Sequence, residues 1–165
     1  MQSSQSNGAV TLRLAHTAEA AAIARLSRYE VEYGLRWRWT PRRVRDAIRD
    51  VDTTVLVASV DGELAGFAIM RFGDDEAHLF LLAVERFFRR SGIATRLLDW
   101  LEASCQTAGI ALLRLEVRRD NRGARRFYES RGFHLIGHRP RYYDGRESAL
   151  VYERRLYDTR FAASK

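Results

Sequence analysis

Two stretches of the chain carry residue types that could do chemistry together. The first is Val84-Glu85-Arg86-Phe87-Phe88-Arg89-Arg90-Ser91-Gly92-Ile93-Ala94-Thr95, where an apolar run gives way to arginines, a glycine and small residues. If this stretch joins a strand to a helix, the first N–H groups of the helix lack intrahelical partners and form a ready site for an anion such as a pyrophosphate. A tight turn with solvated arginines would carry the same residues. The second stretch covers residues 111–133. Strand alternation sends Leu113, Leu115 and Val117 to one face and Arg114, Glu116 and Arg118 to the other. A charged row on an interior strand needs water, a ligand, or an ion-pair ladder joining Glu116 to Arg114 or Arg118. Further on, Asn121 and Tyr128 stand seven residues apart, two helical turns, and so share one helix face.

The remaining reactive groups lead elsewhere. His16, His78, His134 and His138 show no metal-ligand spacing and read as surface or edge histidines, so no metal site is expected. The single cysteine, Cys105, excludes an intrachain disulfide and falls on an apolar helix face, where a buried inert thiol is the expectation. With no nucleophilic Ser or Cys motif, an acyl-enzyme is not implied.

To hold these residues, 165 residues supply one domain, expected over 10–157 with loose ends at 1–9 and 158–165. No apolar run approaches the ~20 residues of a membrane span and no signal-peptide core opens the chain, so the expectation is a cytoplasmic protein without membrane association. The formal charge is +7, and 27 of the 28 basic residues are arginine. GC-rich coding would produce this excess, as would a phosphate ligand suited to guanidinium forks. A nucleic-acid groove would concentrate the arginines in a stripe, whereas these are scattered from Arg13 to Arg160.

The order of elements follows from periodicity and turn chemistry. Alternation over 10–14 gives a strand, and Thr17 is placed to cap an Ala-rich helix running to about Tyr33. Thr40-Pro41 opens a second helix ending near Asp50, and Asp61-Gly62 links a hairpin of Val55–Val60 with Leu64–Phe72. The run from Leu79 to Val84 does not alternate and predicts a central strand covered on both faces. Ile93, Leu97, Leu98, Leu101 and Cys105 mark one helix face, stopped by Gly109. A strand at 111–118, a short helix capped at Asp120-Asn121 and ending before Gly132, and strands near 134–141 and 148–156 complete an α/β domain. The expected architecture is a mixed, mostly antiparallel sheet of about seven strands with helices on both faces.

Arg89-x-x-Gly92-x-Ala94, followed some 30 residues later by Asn121-x-x-Ala124-x-x-Phe127-Tyr128-x-x-x-Gly132-Phe133, resembles the GNAT superfamily of N-acetyltransferases. Leu115-Glu116-Val117-Arg118, Tyr128-Glu129-Ser130, the late Arg139-x-x-Tyr142-Tyr143-Asp144-Gly145-Arg146-Glu147 and Trp39-Thr40 look like its branch of ribosomal-protein N-terminal alanine acetyltransferases. Departures are a shorter loop after Tyr143, Ser148 where an Asp is usual, and Ala94 in place of glycine. The resemblance implies acetyl-CoA as co-substrate, its pyrophosphate held by Arg89, Arg90 and the amides of Ser91, Gly92, Ile93, Ala94 and Thr95. It also implies pantetheine contacts from the backbone of Leu82, Ala83 and Val84, where the family's strand bulges, and from Asn121.

In that branch the glutamate matching Glu116 is the base that takes the amine proton, which an alkylammonium must lose before it attacks. The tyrosine matching Tyr128 is the acid that protonates the departing thiolate. Trp37, Trp39, Tyr142 and Tyr143 are expected at an aromatic acceptor mouth, and residues 34–43 bring no acid to it. The function implied is acetylation of a protein or peptide N-terminus by direct attack, with a small amine as the alternative acceptor. A non-catalytic or nucleic-acid-associated module on the same fold is the alternative of another class. The chain is expected to act as a monomer or homodimer.

Overall fold

The computed structural model describes residues 8–158, so the ends expected at 1–9 and 158–165 fall almost wholly outside the described residues. Alternating and β-rich segments become seven strands: β1 (Val10–Leu14), β2 (Thr53–Val60), β3 (Glu63–Phe72), β4 (Glu76–Val84), β5 (Leu112–Arg118), β6 (His134–Tyr143) and β7 (Glu147–Arg155). The 3.6-period segments become α1 (Ala20–Glu30), α2 (Pro41–Arg49), α3 (Ile93–Thr107) and α4 (Arg122–Ser130). The strands form one sheet in the order β1-β2-β3-β4-β5-β7-β6, antiparallel everywhere except between β4 and β5. That parallel pair requires a crossover, which α3 supplies.

Capping places the helices. Thr40 accepts a hydrogen bond from the Arg43 N–H with Pro41 in the first turn, and Asn121 accepts one from the Ala124 N–H to start α4. Thr17 is not a cap. It begins a 3₁₀ turn at Thr17–Glu19, in which the Glu19 carboxylate receives the His16 N–H at 2.8 Å and pairs with Arg13. α1 then ends at Glu30, short of Tyr33, because the chain turns there to bring Glu32 inward.

The sheet buries both faces. Leu56, Met70, Leu79, Leu113, Leu115 and Tyr152 pack beneath α3 and α4, and Val55, Val57, Phe67, Ile69, Leu81 and Ala83 pack beneath α1 and α2. β4 is the central strand, as its apolar run predicts, yet its residues alternate between buried and half-buried. Midway a bulge exchanges the two faces. Ile69 faces Leu81 and Met70 faces Leu79, leaving Phe80 as the extra residue. Ala77 and Leu79 therefore enter one core, while Leu81 and Ala83 enter the other.

The bulge also ends the pairing with β5, whose ladder stops at Leu79 opposite Leu115. Beyond that point residues 80–84 and 116–118 splay apart and open a cleft between the two strands. Gly66 permits this arrangement. A Cβ there would stand 2.9 Å from the Ala83 carbonyl oxygen and 3.2 Å from Ile93 Cγ2, where α3 closes on β3.

Candidate active site

The cleft has a volume of about 690 Å³ and runs through the sheet. Because Arg114, Glu116 and Arg118 alternate with buried Leu115 and Val117, Glu116 reaches it from the α1/α2 side. Tyr128 reaches it from α4 on the opposite side. The two side chains thus flank one space from two faces of the sheet.

Glu116 does not form the ladder that its own strand offers. Arg114 turns to Glu153 at 2.6 Å and Glu76 at 2.9 Å. Arg118 makes a two-pronged contact with Glu147 at 2.6 and 2.7 Å, and donates to the Val31 and Tyr33 carbonyls. Glu116, its side chain 9% exposed, lies with Oε2 2.5 Å from His78 Nε2 and Oε1 3.8 Å from the Arg139 guanidinium. His78 is therefore not an ordinary edge histidine. It stacks on Phe80 at 4.8 Å, and Phe80 meets Trp39 at 5.8 Å. Its spacing in the sequence carries no sign of this, since the β4–β5 ladder brings residues 78 and 116 together from 38 positions apart.

Tyr128 is buried, edge-on to Phe127 and Phe133 at 5.2 and 5.4 Å. Burial raises its pKa well above the ordinary phenol value, with Tyr143 adding to the shift. The hydroxyl therefore stays protonated at all physiological pH. Tyr143 is likewise pushed up, first by burial and then by Tyr142 and Glu116.

At the other end, α3 begins behind Gly92, which holds a left-handed φ of 79° as does Arg90 at 61°. The first intrahelical bond runs from the Arg96 N–H to the Gly92 carbonyl, so the amides of Ile93, Ala94 and Thr95 lie ahead of the helical ladder. The positive end of a 15-residue helix points out of this turn. Arg89, Arg90 and Ala94 line the cleft. Ser91, Gly92, Ile93 and Thr95 are not among the residues that line it, and the Ile93 side chain is buried in the core. Arg89 forms an ion pair with Glu30, and the Ser91 hydroxyl donates to the Phe88 carbonyl. Leu82, Ala83 and Val84 line the wall on the unpaired edge of β4. Asn121 lines it too, though its Oδ1 is engaged in capping α4 at 3.1 Å.

Trp39, Tyr142 and Tyr143 line the cleft. Trp37 does not. Its ring lies under Arg28, and its Nε1–H donates to the Ala24 carbonyl at 3.2 Å, which fastens the loop to α1. Two acidic residues with no expected role at the acceptor mouth organise it. Buried Glu32 accepts from the Ser27 hydroxyl and from the Arg38 and Trp39 N–H groups. Asp144 accepts from the Arg36 N–H at 2.6 Å and pairs with Arg38 at 3.3 Å, joining the β6–β7 turn to the loop before α2. Acids thus do reach the mouth, from outside residues 34–43.

Among the described residues no group of His, Cys, Asp and Glu could hold a metal ion. No helix among them is long and apolar enough to cross a membrane.

Residues 16–133 match the Acetyltransferase (GNAT) family. A ribosomal protein bS18-alanine N-acetyltransferase of Escherichia coli K12 is 42% identical over 94 residues, a stretch that is 55% of this chain and 64% of that enzyme. The match thus spans a little under two thirds of that relative. The crystal structure of the ribosomal-protein-S18-alanine N-acetyltransferase from Escherichia coli superposes with a TM-score of 0.80 at 28% identity, covering 91% of this chain and 96% of that one. Ard1 from Thermoplasma volcanium gives 0.81 at 28% identity, covering 91% and 99%.

Proposed function

Since the chain belongs to the GNAT acetyltransferase family, we propose that it acetylates the α-amine of a protein or peptide N-terminus, using acetyl-CoA, in the cytoplasm. The observation that carries this reading is the cleft through the sheet, with a carboxylate–imidazole pair entering from one face and a buried phenol from the other.

Acetyl-CoA fits the groups present, and when bound it would supply an activated thioester acyl group. Its pyrophosphate would lie against Arg90 and the amides ahead of α3, where the helix dipole and charge-assisted donors favour an anion. Its pantetheine amides would pair with the unpaired edge of β4 at 82–84, in the manner of a missing strand. The side chain of Asn121 borders the same wall.

Glu116 holds the proton that the attacking ammonium must lose, and His78, in contact with the same carboxylate oxygen, shares it or relays it outward. Tyr128, kept protonated by burial, would offer its hydroxyl proton to a sulfur leaving at this wall, where an unprotonated thiolate is disfavoured. Trp39, Phe80 and Tyr143 keep water from the reacting atoms and orient the acceptor. In support, relatives acting on a ribosomal-protein N-terminal alanine share the sequence match and the fold.

The test is an acceptor panel read by release of free thiol. Peptide N-termini should turn over with kcat/KM at least ten times that of polyamines, free amino acids or amino sugars. Preference for a small amine would overturn the reading.

A further inference from the structure

The charges at the acceptor end of the cleft do not balance. Four carboxylates line the cleft, and each is committed to a partner. Glu30 holds Arg89, buried Glu32 holds the backbone of the mouth loop, Asp144 holds the Arg36 N–H and Arg38, and Glu116 faces His78. The arginines are not answered in the same way. Arg36 and Arg43 both line the cleft, yet among the described residues neither guanidinium has a carboxylate within 4.0 Å. Arg43 lies 3.9 Å over the Trp39 ring, and Arg38 keeps 57% of its side chain exposed beside Asp144. Arg139, 56% exposed, stands over Tyr142 and is the one arginine here that reaches Glu116, at 3.8 Å.

Resting on the N-terminal reading above, we infer that the preferred acceptors carry acidic residues directly after the acetylated amine. The contacts give a scale. Arg43, Trp39, Phe80, His78 and Glu116 form one continuous row of neighbours from the rim to the carboxylate. An extended peptide advances ~3.4 Å per residue, so an amine at Glu116 puts roughly residues 2–4 of the acceptor beside Arg38, Arg36 and Arg43. Cationic side chains at those positions would be repelled, and Asp or Glu would meet guanidinium forks suited to carboxylates.

The experiment compares peptides identical except at residues 2–4, which are Asp/Glu, Ala/Ser or Lys/Arg, at low salt and at about 0.5 M NaCl. KM should be about three- to tenfold lower for the acidic series than for the neutral one, as expected of a few partly exposed charge pairs, and higher again for the basic one. Salt should narrow the spread. Arg36→Glu combined with Arg43→Glu should reverse the order, with the melting temperature confirming a folded variant. Equal KM values, a preference for basic peptides, or a spread insensitive to salt in the unaltered protein would each overturn the inference. Turnover of neutral peptides without an acidic advantage removes this inference alone. Failure of every peptide while small amines react removes the N-terminal reading with it.

Discussion

At the scale of single residues, the site depends on which groups are left over once structural pairs are satisfied. Arg114 and Arg118 are held by Glu153 and Glu147, so Glu116 is not needed to neutralise its own strand. Glu116→Gln should therefore leave the melting temperature nearly unchanged while lowering kcat by about 10²–10⁴-fold at pH 7, with acetyl-CoA binding intact. The defect should shrink as pH rises, because more acceptor then arrives deprotonated. A pH–rate profile beside a thermal melt checks both, and a destabilised but fully active variant would move the base elsewhere. Tyr128→Phe removes one hydroxyl from a side chain fixed between Phe127 and Phe133, so packing should survive. Its kcat should fall about 10²–10⁴-fold with acetyl-CoA affinity retained, and near-full activity would reduce Tyr128 to packing.

At the scale of elements, the β4–α3 junction does two jobs. Under the proposed function its turn would present Arg90 and the leading amides of α3 to the pyrophosphate. Arg90→Ala should weaken acetyl-CoA binding by ten- to a hundredfold, from ~1.5–3 kcal/mol for one charge-assisted contact, as calorimetry would measure. Its strand must also pass close over β3. Gly66→Ala sets a methyl 2.9 Å from the Ala83 carbonyl, a backbone atom that cannot turn away. A loss of ~1–3 kcal/mol in a denaturant melt is expected, with weaker acetyl-CoA binding, because residues 82–84 must shift. An unchanged midpoint would show that β4 yields without cost.

At the scale of the whole molecule, the two cores leave one thiol fully enclosed. Cys105 is 0% exposed. Burial, with Glu102 nearby, pushes its pKa up to about 11, so the reactive thiolate is scarce at pH 8. A chromogenic disulfide reagent should leave the native protein unlabelled and react at the rate of global unfolding. The same reagent could then follow thiol release in the assay without background from the enzyme. Prompt labelling at pH 8 would mean that α3 opens locally.

Much of this was legible in the sequence because it rests on local physics. Strand parity isolates Glu116, Pro41 and Asn121 sit where capping chemistry sets helix starts, Gly132 takes a left-handed φ just after α4, and the apolar run at 79–84 marks the central strand. Other features are tertiary in origin. The extra residue at Phe80 exists only in the register of β4 against β3. The partnership of His78 with Glu116 depends on a parallel ladder between distant strands, and the dispersal of Arg114 and Arg118 depends on β7. Glu32 and Asp144 acquire their roles from backbone N–H groups that the loop before α2 brings to them. The sequence by itself determined which residue types could do the chemistry and the elements that carry them. Only the tertiary structure decided which charges are consumed in pairing and which remain facing the cleft, because a side chain's partners are set by strands and loops far away in the chain.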